Sequence, residues 1–235
     1  MRSMLLSLGA SSLMVASVHA QEPTPDSATV QRAIHVCAAC HGEEGRSKAP
    51  VYPRLAGQMP MYIIAQLRDF RAQTRSESDW QAYMWGISAL LDDATIAGLA
   101  GYYAEQKPAA GKAGDPKLVE VGRKIYEQGI PTRGVRACAS CHGDNAEGAS
   151  VFPRLAGQHA DYVLRQLKVF RTKLRPHGVI MAGETRNLSD DELRALAQYV
   201  SITLTGMRSA LALPFETQLD GSGSRKVELT GSAHR

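Results

Sequence analysis

Cysteine is scarce in this chain, and none is spare. The 235 residues include four cysteines, and all four fall in two copies of one motif, Cys37-Ala38-Ala39-Cys40-His41 and Cys138-Ala139-Ser140-Cys141-His142. No thiol is left for a disulfide, a zinc site or a nucleophile. Aromatic residues are few as well, at 6%, so two small domains cut from this chain would have thin cores. After the first twenty residues no apolar run approaches the length of about 20 that crosses a bilayer. Strand-like alternation is missing, which argues against a sandwich or barrel. No Ser/His/Asp grouping stands out, and the carboxylates fall on helix faces and caps. What remains, 44% hydrophobic and 21% charged residues, is the composition of a soluble globular protein.

A C-x-x-C-H run is the attachment signature of c-type haem: two thiols bond to the porphyrin and the adjacent histidine binds the iron. Two such runs predict two covalently bound haems, held by Cys37, Cys40 and His41 and by Cys138, Cys141 and His142. A porphyrin in each half also supplies the apolar mass that the scarce aromatics do not.

Residues 1–20 read as an export signal, with Arg2 as the positive start, a small and apolar stretch from Met4 to Val18, and a cleavage site at Val18-His19-Ala20. The expected location is periplasmic, which agrees with the motifs because bacteria attach c-type haem after translocation. The formal charge of +4 is unevenly spread: residues 21–111 carry 8 basic against 10 acidic side chains, and residues 112–209 carry 15 against 10. Basic and acidic residues alternate, as on a solvated face, so nucleic acid is not an expected partner. The second half should instead favour an acidic partner surface.

One unit is written twice. Val51-Tyr52-Pro53-Arg54-Leu55-Ala56-Gly57-Gln58 returns as Val151-Phe152-Pro153-Arg154-Leu155-Ala156-Gly157-Gln158, and Tyr62, Gln66, Leu67, Phe70 and Arg71 are matched 100 residues later. The offset is 101 at the cysteines and 97 near the end of each unit, the drift left by loop insertions after a duplication. Each unit reads as all-α. A helix enters the haem motif, over Thr29 to Cys37 and over Leu118 to Gln128, and an amphipathic helix follows over about 60–74 and 159–174. A last helix is capped by Asp92 in the first unit and by a Ser189/Glu192 capping box in the second. The expected division is a signal at 1–20, a first domain at 21–106, a linker at 107–117, a second domain at 118–205 and a largely disordered tail at 206–235.

Haem iron has two axial positions, and His41 and His142 take one at each site by their place in the motif. Pro53 and Pro153 are candidates to supply the carbonyl that orients each imidazole. For the opposite side the mature chain offers Met59, Met61, Met84, Met181 and Met207. Met84 lies seven residues before Leu91 and Met181 seven before Leu188, a fixed distance ahead of the last helix. Met59 and Met61 are matched by His159 and Asp161, and Met207 by nothing. The pair Met84 and Met181 is therefore the expected ligand set, with His177 and His159 in reserve for the second haem. His35 is too close to the first motif to reach the far face.

The paired motifs, the repeated Pro-Arg-Leu-Ala-Gly-Gln segment and the methionine ahead of each last helix together resemble the dihaem cytochrome c4 family, tandem class I cytochrome c domains. The resemblance covers about residues 28–205. It implies His/Met ligation at both irons and a periplasmic electron carrier, not an enzyme, working between a respiratory donor and a terminal oxidase. Alternatives from the same module are an electron-accepting subunit of a dehydrogenase, such as a flavocytochrome c sulfide dehydrogenase, and less readily a dihaem peroxidase or thiosulfate dehydrogenase. The expected partners are redox proteins: membrane respiratory complexes or a flavoprotein dehydrogenase.

Overall fold

The computed structural model describes residues 27–77, 81–112 and 114–202. The export signal and the C-terminal tail expected from the sequence lie outside the described residues. Nine α-helices are present among the described residues, with two short 3-10 turns and no named strand. In the first half these are α1 (Ala28–His41), α2 (Pro60–Arg71), α3 (Gln81–Ser88) and α4 (Asp93–Glu105). In the second they are α5 (Pro116–Gln128), α6 (Ala139–His142), α7 (Ala160–Val169), α8 (Val179–Arg186) and α9 (Asp190–Ser201). The predicted all-α plan holds.

The caps behave as their residue types dictate. The Ser27 hydroxyl accepts from the Val30 N–H, the Asp92 carboxylate accepts from Thr95 N–H at 2.7 Å, and Ser189 and Glu192 close a full capping box. Some boundaries differ from the sequence reading. The first helix runs on through the haem motif to His41, whereas in the second half the helix stops at Gln128. There the inserted residues turn back through a bridge between Ile130 and Val135, and a separate single turn, α6, carries the motif. Helix α7 ends at Val169, short of the predicted 174, and Leu174 is exposed. The stretch read as a linker already enters α5 at Pro116, with Asp115 as its cap.

In each half the first and last helices cross at a glycine. A Cβ on Gly98 of α4 would fall 2.5 Å from a Val30 methyl of α1, and one on Gly122 of α5 would fall 2.1 Å from the Ala195 carbonyl oxygen of α9. Gly98 and Ala195 are equivalent positions, so the large and small partners have changed sides between copies and the helix separation is kept. Two cores result. Val30, Ile34, Ile63, Leu99, Ala100 and Tyr103 form the first; Ile125, Tyr126, Val163, Leu193, Leu196, Tyr199 and Val200 belong to the second.

The repeated octapeptide joins the halves. Gln158 accepts from Arg54 N–H at 2.9 Å and donates its amide to Arg54 O at 2.9 Å. Gln58 accepts from Arg154 N–H at 2.7 Å and donates to Arg154 O at 3.1 Å. Each segment thus clamps the backbone of its own copy, the self-complementary pattern of a two-fold axis. The interdomain stretch is strapped down rather than loose, since Arg54 and Arg46 donate to the carbonyls of Ala110 and Lys107.

Candidate functional site

One cavity of about 850 Å³ runs between the halves, and both motifs open onto it. All four cysteines line it, with His41, His142, Met84 and Met181. Met59, Met61, His35 and His159 do not, so Met84 and Met181 are the only methionines of the described residues on its wall.

Both imidazoles are fixed in the same way. His41 Nδ1 lies 2.8 Å from the Pro53 carbonyl and His142 Nδ1 lies 2.9 Å from the Pro153 carbonyl. A carbonyl only accepts, so Nδ1 carries the proton and Nε2 keeps its lone pair. Burial pushes the pKa of both histidines down, partly offset by these carbonyls, and each ring stays neutral as a ligand must be. The prolines picked from the sequence are therefore the acceptors. The only residue that differs between the two octapeptides stands beside the ring: Tyr52 is edge-on to His41, and Phe152 to His142, each at 6.2 Å. Directly after each histidine the chain leaves the helix through Gly42 (φ 78°) and Gly143 (φ 81°). That backbone is open to glycine at no cost and strained for other residues.

Neither Cys37 nor Cys138 is an activated thiol. Burial pushes Cys138 up to about 11 and raises Cys37 as well, so neither is a thiolate at neutral pH. Among the described residues no cluster of three or more His, Cys, Asp or Glu side chains could hold a bare metal ion. A single neutral imidazole beside a Cys pair at each of two sites suits an iron that brings its own four equatorial nitrogens.

The far wall is polar and buried. Arg75 stacks on Phe70 and Arg175 on Phe170, at 4.4 and 4.3 Å from the ring centroids. Arg75 donates to Gln66 at 2.8 Å and to Tyr162 at 3.1 Å; Arg175 donates to Gln166 and Gln66, both at 2.6 Å. Glu77 is ion-paired with Arg75, and both side chains are almost wholly buried. Arg75 Nε and Gln166 Nε2 are buried without partners. Two buried guanidiniums against one paired carboxylate, with donors to spare, fit the carboxylates of two porphyrins.

Two histidines held in reserve as ligands have other employment. His159 is buried and its Nε2 donates to the Ser47 carbonyl across the halves at 3.0 Å. His177 stands at the cavity rim, exposed, with Nδ1 2.7 Å from Asp69 of the first half. The residues that the sequence reading missed are Gln58, Gln158, Arg75, Arg175 and Tyr103. The first four carried a readable signal, because polar residues repeated at a single offset of 100 have no reason to persist on a merely solvated face.

The family model for cytochrome c matches residues 119–203. Cytochrome c4 of Thiocapsa roseopersicina is 43% identical over 175 residues, covering 72% of this chain and 88% of the relative. A thiosulfate dehydrogenase electron acceptor of Thiomonas intermedia is 34% identical, covering 70% of this chain and 77% of the relative. Among solved structures, reduced recombinant cytochrome c4 from Pseudomonas stutzeri superimposes with a TM-score of 0.69 at 35% identity, over 76% of this chain and 98% of that one. Two C-x-x-C-H motifs, two helical cores and one cavity reached by both histidines find their explanation here: the chain belongs to the cytochrome c4 family, dihaem c-type electron carriers rather than enzymes.

Proposed function

We propose that the chain is a periplasmic two-electron carrier in which His41 and Met84 ligate one haem iron and His142 and Met181 the other, passing electrons from a respiratory donor towards a terminal oxidase. The observation that carries this reading is the placement of Met84 and Met181 on the cavity wall, while the other described methionines lie elsewhere. A bound haem supplies a one-electron iron couple, which a thioether ligand shifts towards the reduced form. The protein's own residues do the rest. Cys37, Cys40, Cys138 and Cys141 anchor the porphyrins. Pro53 and Pro153 hold the imidazoles in one tautomer. Arg75 and Arg175, with Gln66 and Gln166, would receive the porphyrin carboxylates. With His and Met on each iron, neither site has an open position for a substrate. Among the described residues no helix is long and apolar enough to cross a membrane.

The ligand assignment is tested by spectra of the purified protein with and without carbon monoxide. Both irons should be six-coordinate and slow to bind the gas, and Met84→Ala and Met181→Ala should each open one site. Rapid binding at half of the wild-type haem would refute the assignment. A second donor is favoured by the likeness to a thiosulfate dehydrogenase electron acceptor. Rapid reduction of the oxidised protein by a purified thiosulfate dehydrogenase with thiosulfate would select that reading over a respiratory donor.

A further inference from the structure

The two pockets are copies, and each has a buried tyrosine on its wall, yet only one of the two hydroxyls lacks a partner. Tyr103, from the last turns of α4, is 2% exposed and lies in the first core with Cys37 packed against that cluster. Both residues line the cavity. The Tyr103 hydroxyl oxygen is buried with no hydrogen-bond partner. A buried hydroxyl left unpaired carries a desolvation cost, so it points to an acceptor that completes it. The equivalent position in the second half is Val200, which has no donor. There a tyrosine comes from a different helix: Tyr126 of α5 stands beside Tyr199 as Tyr103 stands beside Tyr102. Its hydroxyl is already committed, donating to the Gly143 carbonyl at 2.6 Å.

The Tyr103 hydroxyl and the Cys37 sulfur are neighbours on this wall, each shifting the other's ionisation, with no hydrogen bond formed between them while Cys37 is a free thiol. Burial pushes the Cys37 thiol up, and the nearby Tyr103 hydroxyl partly offsets this. Burial likewise pushes Tyr103 well above the usual tyrosine range, so its hydroxyl keeps its proton and acts as a donor. Haem attachment sharpens the pairing. A free thiol both donates and accepts, but the thioether made from it has lost its hydrogen and only accepts. Once Cys37 is bonded to the porphyrin, the hydroxyl is the donor and the sulfur the acceptor.

We propose that Tyr103 is a positioning residue that donates a hydrogen bond to the Cys37 thioether sulfur and so raises the reduction potential of the first haem alone. A hydrogen bond to the sulfur withdraws electron density from the porphyrin edge and stabilises the reduced form, a local form of the outer-shell tuning that sets haem potentials. The second haem lacks this contact, so the two sites are set apart by a group on one side only. The inference rests on the dihaem reading but not on the identity of the ligand opposite His41, because Cys37 is attached whichever group completes the iron.

The test is redox titration of the holoprotein and its Tyr103→Phe and Tyr126→Phe variants. Each haem is followed through its methyl resonances, assigned by contacts to Tyr52 in one pocket and Phe152 in the other. Tyr103→Phe should shift the electron-sharing equilibrium about threefold towards the second haem, close to 30 mV for a one-electron couple. Tyr126→Phe should leave both potentials in place. Equal potentials in wild type and Tyr103→Phe, or an equal shift at both haems, would overturn the proposal. A failure of His/Met ligation would show separately, as rapid carbon monoxide binding by the wild type. Should Tyr103→Phe fail to mature, resonance Raman of the wild type decides. One thioether C–S band should move in D2O, and no movement overturns the idea.

Discussion

Replacing Gln158 by alanine tests whether the repeated octapeptide is the clamp between the halves. The side chain makes three hydrogen bonds: it accepts from Arg54 N–H at 2.9 Å and from His159 N–H at 3.0 Å, and it donates to Arg54 O at 2.9 Å. A typical net hydrogen bond is worth about 1 kcal/mol, and a buried donor or acceptor left without a partner costs about 1–3 kcal/mol. Gln158 is itself buried, so water replaces only part of what is lost. The expected destabilisation is about 2–4 kcal/mol. The readout is urea denaturation of the oxidised holoprotein, followed by far-UV circular dichroism and by fluorescence of Trp80 and Trp85, which both belong to the first half. In the wild type the two transitions should share one midpoint. In Gln158→Ala the fluorescence and dichroism midpoints should separate, because halves that no longer clamp each other unfold one at a time. Gln58→Ala, at the symmetry-related clamp, should behave in the same way. A stability loss below about 0.5 kcal/mol with coincident midpoints would refute the reasoning.

Two further predictions follow from the packing. His159 is held neutral, its pKa lowered chiefly by burial and further by the Arg54 charge. The unfolded chain therefore takes up a proton near the ordinary value of 6.5 where the folded chain does not, and the stability present above that pH is lost as pH falls below it. His159→Met, which installs the residue found at position 59 of the first copy, should flatten the slope of denaturation midpoint against pH between about 7 and 5; an unchanged slope would count against it. Gly122→Ala gains about 1 kcal/mol of helix propensity. Its Cβ would nevertheless lie 2.1 Å from the Ala195 carbonyl oxygen, and because that obstacle is backbone, the net loss should be about 2 kcal/mol, read as a lowered thermal midpoint.

The haem motifs, the proline carbonyls that face their histidines and the helix plan were legible because each follows from local chemistry. A C-x-x-C-H run, a capping box or a 3.6-residue stripe carries its meaning within a few residues. What stayed hidden required two distant segments at once. Nothing in the sequence around Gln58 says that its amide closes on Arg154, and His159 next to a helix start gives no sign that its ring reaches Ser47 of the other half. The same limit explains the helix ends. The motif of the first half rides on a continuous helix because α1 meets it directly, whereas the extra residues 129–136 force the second motif onto a turn of its own. Leu174 fits the helical period of its neighbours, but α7 stops short of it, and in the exposed loop there its carbonyl accepts from the Ser76 N–H of the first half at 2.6 Å.

Where the two copies agree and where they differ follows from the geometry of the joint. A residue on a two-fold axis meets its own counterpart, so a change there disturbs the contact from both sides. Gln58 and Gln158 close on Arg154 and Arg54, and Arg175 and Arg75 reach across to Gln66 and Gln166; all of these are identical between copies. Departures at this joint should then come in matched sets, and one does. Glu77 is ion-paired with Arg75 and lies 3.9 Å from Arg165. Their counterparts are His177 and Ala65, so neither the carboxylate nor its second cation is repeated. His177 instead turns outward to Asp69 of the first half. A carboxylate buried at position 77 without Arg165 would face a larger desolvation cost, and Arg165 without Glu77 would leave a cation against Tyr162 with less to balance it. The pair is self-consistent only when both members are present on the same side, which is how a duplicated pocket can become electrostatically unequal without opening its seam.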